Sequence, residues 1–228
     1  MNQSEQQRRA YLQAMGIDIW LPKVPPDIDS ARVEVNETDV PESTVDWDTL
    51  RQRVAGCSRC ELAQSRTQTV FGVGNRDADW LIIGEAPGAE EDRRGEPFVG
   101  RAGQLLDQML LAIGQSRESV FIANILKCRP PNNRDPKPAE AAACRDYLQQ
   151  QIALVQPKII LAVGRIAAQS LLDCSDPVGR MRGHAHALGD IPLVVTYHPA
   201  FFLRSPSQKK KAWSDLCLAR RLVAETGV

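Results

Sequence analysis

The stretch WLIIGEAPG, residues 80–88, decides the fold of this chain. Its first four residues are large and apolar, which predicts a strand buried on both faces, and the Gly and Pro residues that follow predict a loop. Beyond that loop, apolar residues recur at helical spacing, so we expect a helix over residues 103–113. A buried strand that leads through a loop into a helix is the repeating unit of a parallel sheet.

The same unit repeats through the rest of the chain. Apolar runs and helical periods predict strands at 120–123, 158–163 and 193–196, and helices at 138–155, 165–172 and 209–225. We therefore expect an α/β domain whose four parallel strands are covered by helices on both faces.

The composition is that of a soluble globular protein. The 228 residues carry 28 Lys+Arg and 28 Asp+Glu, and 43% of them are hydrophobic, which excludes disordered and fibrous classes. No apolar run approaches the roughly 20 residues of a membrane span, and the first residues do not resemble a signal peptide, so we expect a cytoplasmic protein. The net charge of zero gives no overall sign of nucleic-acid binding, although a local basic patch is compatible with it.

Two parts of the chain differ in composition. Residues 1–44 contain a short helical pattern and then a Pro- and acid-rich segment with almost no large apolar side chains. Such a segment cannot bury enough surface to offset its chain entropy. We interpret residues 1–44 as a docking peptide followed by a disordered linker, and residues 45–228 as the globular domain.

The ends of the predicted strands carry unusual residues. The four strands lead into GEAPG at 84–88, Asn124, Gly164-Arg165 and Tyr197-His198-Pro199. Ligands of parallel sheets bind just beyond the carboxyl ends of the strands. One crevice should therefore receive a Gly/Pro turn, an amide, an Arg and a His, which predicts a binding site.

Some side chains near this crevice have both functional and structural interpretations. Phe98 lies in a loop, where its ring could stack on a planar ligand or fill the core. His198 follows a strand and precedes a Pro in the crevice, which favours a functional role. The acidic residues of 85–92 are, for the most part, better explained as a solvated run.

The segment after His198 is apolar with basic residues on both sides. Phe202 and Leu203 precede Arg204, and three lysines follow at 209–211. This pattern fits a loop that wedges into a DNA duplex while the basic side chains hold phosphates. The alternative is that the lysines are the solvated start of a helix.

Four of the six cysteines form a metal-binding pattern. They are Cys57, Cys60, Cys128 and Cys144. The first two are spaced C-x2-C, and four such thiolates hold either zinc or a [4Fe–4S] cluster, which the spacing does not distinguish. A redox-active C-x2-C pair with two incidental thiols is the alternative, and the remaining Cys174 and Cys217 are expected to be core thiols.

Taken in order, these motifs resemble the family 4 uracil-DNA glycosylases, the iron–sulfur type. The matching motifs are C-x2-C at 57–60, GEAPG at 84–88, EDRRGEPFVGRAGQLL at 91–106, NILKCRPPNNR at 124–134 and HPA at 198–200. The resemblance runs from about residue 54 to about residue 224. It implies a three-layer α/β/α fold around a central four-stranded parallel sheet. It also implies a structural [4Fe–4S] cluster on the four cysteines, with zinc the lesser alternative.

The resemblance further implies hydrolysis of the N-glycosidic bond of deoxyuridine in DNA, which releases uracil during base excision repair. The uridine must leave the base stack before the enzyme can reach that bond. Phe98 would then stack on the flipped base, Asn124 would read its edge, and His198 would donate a hydrogen bond to O2. The basic-flanked loop of Phe202, Leu203 and Arg204 would intercalate into the strand.

The remaining pocket residues follow from the same resemblance. Gly84 and the backbone of Glu85 and Ala86 would complete the base pocket. Ala86 stands where family 1 enzymes carry a water-orienting Asp, so Glu85 is our candidate for that catalytic role. Glu91 is the candidate that crowds the C5 position and excludes thymine.

The N-terminal segment has a separate resemblance. Residues 6–22 are similar to the N-terminal peptide of the psi subunit of the bacterial clamp-loader complex, through Leu12, Met15, Ile17 and Trp20. This implies a bacterial, nucleoid-associated protein that clamp-loader subunits bind through its tail. We expect the chain itself to be monomeric.

Two other classes of protein compete with the enzyme. One is a non-catalytic psi-like replisome subunit that keeps the glycosylase fold, and the other is an iron–sulfur electron carrier. Phe98, Asn124 and His198 favour the enzyme, because neither alternative needs a base-reading amide beside an anion-stabilising imidazole.

Overall fold

One mixed sheet of six strands lies at the centre of residues 46–225, which are the residues that the computed structural model describes. In chain order the strands are β1 (Val73–Gly74), β2 (Trp80–Gly84), β3 (Phe121–Asn124), β4 (Ile159–Val163), β5 (Ala185–Leu188) and β6 (Ile191–Thr196). Their order across the sheet is β1-β3-β2-β4-β6-β5. The four central strands are parallel, as the apolar runs predict, and β1 and β5 pair antiparallel at the two edges. The apolar runs predict neither edge strand, because β1 has two residues and β5 has no buried residue.

Helices cover both faces of the sheet. Over residues 46–225 they are α1 (Trp47–Ala55), α2 (Leu62–Ser65), α3 (Ala89–Arg94), α4 (Arg101–Leu111), α5 (Pro138–Val155), α6 (Arg165–Leu172), α7 (Val178–Met181), α8 (Pro199–Arg204) and α9 (Lys209–Glu225). Short 3₁₀ turns lie at Pro131–Asn133 and Pro206–Gln208. The predicted bounds of α5, α6 and α9 are confirmed, whereas α4 begins and ends two residues before the predicted 103–113.

The strands alternate their side chains between two cores. Leu81 and Ile83 of β2 pack with α1, α5, α6 and α7 on one face, whereas Trp80 and Ile82 pack with α4, α8 and α9 on the other. Successive residues of a strand point to opposite faces, so a strand that is apolar throughout serves both layers. The three-layer α/β/α architecture is confirmed.

The docking peptide at residues 6–22, the linker and the domain boundary before residue 45 lie outside the residues that the structure describes. No helix within residues 46–225 is long and apolar enough to cross a membrane.

Candidate active site

A cleft of about 700 Å³ lies at the carboxyl ends of the parallel strands. The predicted site residues that line it are Glu85, Ala86, Glu91, Phe98, Asn124, His198 and Arg204. They lie at or after the ends of three parallel strands, β2, β3 and β6, whose carboxyl ends meet at the same end of the sheet.

Gly84, the last residue of β2, lies against Asn124 and Phe98, two of the residues that line this cleft. A Cβ at this position would lie 2.5 Å from Oδ1 of Asn124 and 2.6 Å from the ring of Phe98. These distances are too short for any side chain, so only glycine lets the amide and the aromatic ring approach each other across the strand end. The position of Gly84 therefore sets the shape of the pocket.

Phe98 combines the two interpretations that the sequence allows. Its side chain is only 6% exposed and packs into the core on the α4 side, yet it also lines the cleft. The ring stacks on that of His198, with centroids 5.5 Å apart and planes 26° apart. Its backbone has a φ of 55°, a left-handed conformation that costs a non-glycine residue about 1–3 kcal/mol. The surrounding structure must supply that energy.

Glu91 contributes directly to the shape of the Phe98 loop. Its carboxylate accepts hydrogen bonds from the backbone N–H groups of Val99, at 3.0 Å, and Gly100, at 3.1 Å. Its other oxygen faces Gly88, where an added Cβ would lie 2.7 Å from it. The carboxylate is thus fixed at the rim of the pocket, and it is not part of a freely solvated acidic run.

Asn124 ends β3 beside Gly84, with which it is in register. The side chain is 2% exposed, and among residues 46–225 no side chain or backbone group hydrogen-bonds its amide. Because no buried side-chain polar atom of that region lacks a partner, the amide must reach the open cleft. Its backbone oxygen accepts a hydrogen bond from Nζ of the buried Lys127 at 2.9 Å, which holds the residue in place.

His198 is the N-cap of α8, and its protonation is set by its surroundings. Its Nδ1 accepts a hydrogen bond from the backbone N–H of Ala200 at 3.2 Å. Burial, and after it the charge of Arg204, lower the pKa of His198 to about 4, against the opposing charge of Glu91. The imidazole is therefore neutral at physiological pH, and its proton resides on Nε2. A neutral Nε2–H donor thus stands in the cleft.

Glu85 is a carboxyl group with a perturbed acidity. Burial raises its pKa, the charge of Asp135 raises it further, and Arg165 opposes the shift. Asp135 itself pairs with Arg165 at the mouth of the cleft. A carboxylate whose pKa is raised accepts a proton more readily than an exposed one, which suits a base.

Sequence reasoning missed the loop of residues 133–135, which forms one wall of the cleft. Asn133, Arg134 and Asp135 all line it, and Arg134 is fixed by two hydrogen bonds to Glu140, at 2.9 and 2.6 Å. The motif NILKCRPPNNR contains two of these residues. Its polar end, beyond the cysteine, was the signal that could have found them.

The prediction that Phe202 contacts DNA is wrong. Its side chain is 0% exposed and packs edge-on against Tyr197 and Phe201 beneath α8. The segment is a helical turn, so neighbouring side chains point in different directions. Leu203, 37% exposed, and Arg204, which lines the cleft, remain available to DNA.

Three of the four cysteines meet in one cluster, and the fourth, Cys57, packs against the neighbouring core. Cys128 and Cys144 are buried with Leu62 and Leu126, and Cys60 packs against them. Cys144 also interacts electrostatically with both Cys57 and Cys60. Within residues 46–225, no group of three or more His, Cys, Asp and Glu side chains could hold a metal ion. The four thiolates of a four-iron cluster lie farther apart than the ligands of a single ion. For a cluster, the relevant properties are therefore the acidity and the polar contacts of the thiols.

Two of these thiols are poor free thiolates because they are buried. Burial raises the pKa of Cys128 to about 11 and also raises the pKa of Cys144, so neither thiol ionises alone at neutral pH. Arg66 donates a hydrogen bond to Sγ of Cys128 at 3.1 Å and another to the backbone oxygen of Cys57 at 2.7 Å. Neither Cys128 nor Cys144 is therefore suited to exchange as a free thiolate, and the Arg66 cation would stabilise Cys128 as a ligand.

The fold and cleft together describe a class of protein: a three-layer α/β/α domain with an aromatic ring, an amide and an imidazole in one cleft at the carboxyl ends of its parallel strands. Comparison with known proteins agrees. The model described as "Uracil DNA glycosylase superfamily" matches residues 71–217. A type-4 uracil-DNA glycosylase of Archaeoglobus fulgidus is 42% identical over 176 residues, which are 74% of this chain and 88% of the relative. That of Thermotoga maritima is 42% identical over 182 residues, 78% of this chain and 95% of the relative.

A third relative, from Pyrobaculum aerophilum, is a type-4 uracil-DNA glycosylase that is 40% identical over 182 residues, 76% of this chain and 93% of the relative. The chain belongs to the uracil-DNA glycosylase superfamily and, within it, to the type-4 enzymes.

Proposed function

We propose that this chain hydrolyses the N-glycosidic bond of deoxyuridine in DNA, releasing uracil and leaving an abasic site for base excision repair. The observation that carries the proposal is the meeting of Phe98, Asn124 and His198 in one cleft, in a chain of the type-4 family. An aromatic face, a free amide and a neutral Nε2–H donor are the three contacts that a flipped uracil needs.

Recognition of uracil rests on the Asn124 amide. Its oxygen accepts from N3–H of uracil and its nitrogen donates to O4, whereas cytosine presents the opposite polarity at both positions. Cytosine in this pocket would leave buried polar groups unpaired, at about 1–3 kcal/mol each. The Phe98 ring stacks on the base, Gly84 leaves room for that ring, and the backbone of Glu85 and Ala86 forms the pocket floor.

Exclusion of thymine is the role that we assign to Glu91. Its carboxylate is fixed beside Gly88 by the N–H groups of Val99 and Gly100. A methyl group on C5 would have to displace a charged group that is already paired, which is costlier than moving a free side chain.

The chemical step separates charge. The C1′–N1 bond breaks, its electron pair stays on uracil, and the sugar becomes an oxocarbenium-like cation. His198 donates from Nε2 to O2, where negative charge collects. Water then adds to C1′ and gives its proton to Glu85, whose raised pKa suits it to receive one.

The experiment that tests the function is single-turnover release of uracil from an oligonucleotide with one U, using the purified full chain. Release of uracil, with none of the normal base from matched C or T strands, is expected. A protein that binds the oligonucleotide and releases nothing would instead return the non-catalytic replisome subunit to consideration, which the comparisons do not favour.

Glu85→Gln tests the role of the carboxylate. The bond to uracil is largely broken before water adds, so we expect a loss of about tenfold, below the range typical of general-base catalysis. The base form is present above the raised pKa of Glu85 and is lost as the pH falls through it. The wild-type rate should therefore decline at acid pH and the variant's should not. Identical pH profiles for the two proteins would remove Glu85 from this role.

Substitution of Leu203, next to Arg204, tests the proposed DNA-binding surface. We propose that Leu203 enters the strand and that Arg204 holds a phosphate beside it. Leu203→Ala should weaken binding of U-containing duplex by about 1–2 kcal/mol, the size of a lost apolar side chain, while leaving the melting temperature unchanged. Leu111→Ala is the matched control, since Leu111 is also exposed but lies on α4. Equal binding by both variants would contradict the wedge.

We also propose that Cys57, Cys60, Cys128 and Cys144 hold a [4Fe–4S] cluster. Bound there, the cluster would cross-link the segment after α1, the loop after β3 and helix α5, which stabilises the fold and leaves the reaction to the cleft. The basic side chain of Arg66 beside Cys128 suits the negative charge of such a group.

Metal analysis tests this assignment. The wild type should contain about four iron atoms per chain with matching sulfide. Cys144→Ala should lose both, together with the visible absorption. The matched controls are Cys174→Ala and Cys217→Ala, in the two remaining thiols, which should keep the cluster. Zinc in place of iron, or full iron in the Cys144 variant, would overturn the assignment.

The tail remains a hypothesis that rests on its resemblance alone. We propose that residues 6–22 bind clamp-loader subunits and tether the enzyme to replication. Deletion of residues 1–40 should leave uracil release unchanged and abolish clamp-loader binding, and retained binding would refute the tether.

A further inference from the structure

The Arg117 side chain, which pairs with Asp107 outside the base pocket, binds the backbone at Phe98. The Arg117 guanidinium donates from Nη1 to the backbone oxygen of Phe98 at 3.2 Å and from Nη2 to that of Pro97. Nη1 also donates to Oδ1 of Asp107, on α4, at 3.1 Å. The Arg117 side chain is only 19% exposed, so this contact is largely shielded from water.

These hydrogen bonds hold the part of the loop whose backbone is strained, at Phe98. Phe98 has a left-handed backbone, and its carbonyl turns towards α4, where a Cβ at Gly103 would lie 1.7 Å from the Phe98 oxygen. Glycine at 103 allows this path, but it does not hold the loop there. The charged groups on either side do so: Arg117 binds the carbonyls of residues 97 and 98, and Glu91 binds the N–H groups of residues 99 and 100.

This arrangement bears on the function because the ring depends on the backbone. The Phe98 ring touches His198 and stands over Gly84 only while the backbone keeps its left-handed conformation. If the carbonyls were released, the residue would gain by relaxing to an ordinary conformation, and the ring would leave the position that a flipped base requires.

We propose that Arg117, oriented by Asp107, is a positioning residue for uracil excision: it holds Phe98 in the left-handed conformation that places its ring in the base pocket. This inference rests on the proposed function, in which Phe98 stacks on the base. Arg117 itself touches neither substrate nor reacting atoms.

A double-mutant cycle separates positioning from a merely structural role. Arg117→Met removes the donors and keeps an unbranched apolar stem, and it is compared with wild type in two backgrounds, Phe98 and Phe98→Ala. The measured quantity is single-turnover kcat/KM on a U-containing oligonucleotide, at a temperature where urea titration shows all four proteins folded. We expect a loss of about tenfold where Phe98 is present, the size of one lost charged hydrogen bond, and little further loss where it is absent.

Two further variants sharpen the test. Arg117→Lys keeps one donor and should recover part of the rate. Lys158→Met breaks a more exposed ion pair, with Asp79, just before β4 and β2. Neither residue lines the cleft, so this variant should leave kcat/KM unchanged in both backgrounds.

The outcomes distinguish the inference from the function beneath it. Equal losses on Arg117→Met in the two backgrounds, in wild-type protein that releases uracil, would overturn the positioning role alone. Absence of uracil release from the wild type would overturn the proposed function and this inference with it.

Discussion

Replacement of His198 by alanine is expected to lower the single-turnover rate of uracil release by about 10²–10³, the usual effect of removing one donor from a developing anion. The donor is fixed before substrate arrives, because Nδ1 already accepts the N–H of Ala200 and so leaves the proton on Nε2. Stabilisation of the departing uracil anion then requires no reorganisation. Affinity for U-containing DNA should change much less than the rate, since the charge on O2 develops only as the bond breaks.

The pH dependence of the wild type distinguishes a neutral donor from a cationic one. With a pKa of about 4, His198 binds its second proton only as the pH falls towards that value. The contribution of His198 should therefore be constant from about pH 8 down to about pH 5. An imidazolium with an ordinary pKa would give a contribution that rises through that range as the pH falls. A wild-type to His198→Ala rate ratio that increased towards acid pH would contradict the neutral donor.

The control for His198 is another histidine of the same chain. His186 lies in β5, where its ring is hydrogen-bonded to the backbone oxygen of Met181, away from the cleft. His186→Ala should release uracil at a rate near that of wild type. A rate for His198→Ala close to that of this control would exclude the donor role.

The sequence predicts the centre of this fold well because apolar runs report burial directly. β2 and β4 are buried at every position, and a strand buried on both faces has few alternatives. β5 could not be found in this way, since all four of its residues are exposed or half-buried and it is paired only with β6. It pairs with β6 through a hairpin closed by Gly189-Asp190, so the turn, and not an apolar run, was the signal that could have found it.

For the site, too, the sequence predicts which residues lie together but not where each side chain points. Gly84, Asn124 and His198 lie at or just after the ends of parallel strands. For that reason they meet at the same end of the sheet. The direction of each side chain depends on contacts distant in sequence: Phe202 turns into the core because α8 packs on the sheet, and Phe98 keeps a left-handed backbone. Neither feature has a signature in composition or spacing.

Asn124→Asp should lower the preference for uracil over cytosine, measured as the ratio of single-turnover kcat/KM values, by about 10² or more. With asparagine at this position, cytosine leaves two buried polar groups unpaired, at ~1–3 kcal/mol each. With aspartic acid, these penalties would no longer disfavour cytosine. The position is nearly fully buried, so the new carboxyl should have a raised pKa and be protonated more easily than an exposed one. In that form its O–H can donate to O4 of uracil or to N3 of cytosine, and its carbonyl oxygen can accept from N3–H or from the cytosine amino group.

This reasoning makes the new cytosine activity dependent on pH in a stated direction. The carboxylate form accepts and cannot donate, so it faces the N3 lone pair of cytosine without a proton between them. Excision of cytosine by the variant should therefore increase as the pH falls and the carboxyl is protonated. Asn75→Asp, on the exposed turn after β1, makes the same chemical change outside the cleft and should keep the wild-type ratio. A ratio for Asn124→Asp equal to that of this control would show that the amide does not read the base, and discrimination would then have to come from the backbone groups of the pocket floor.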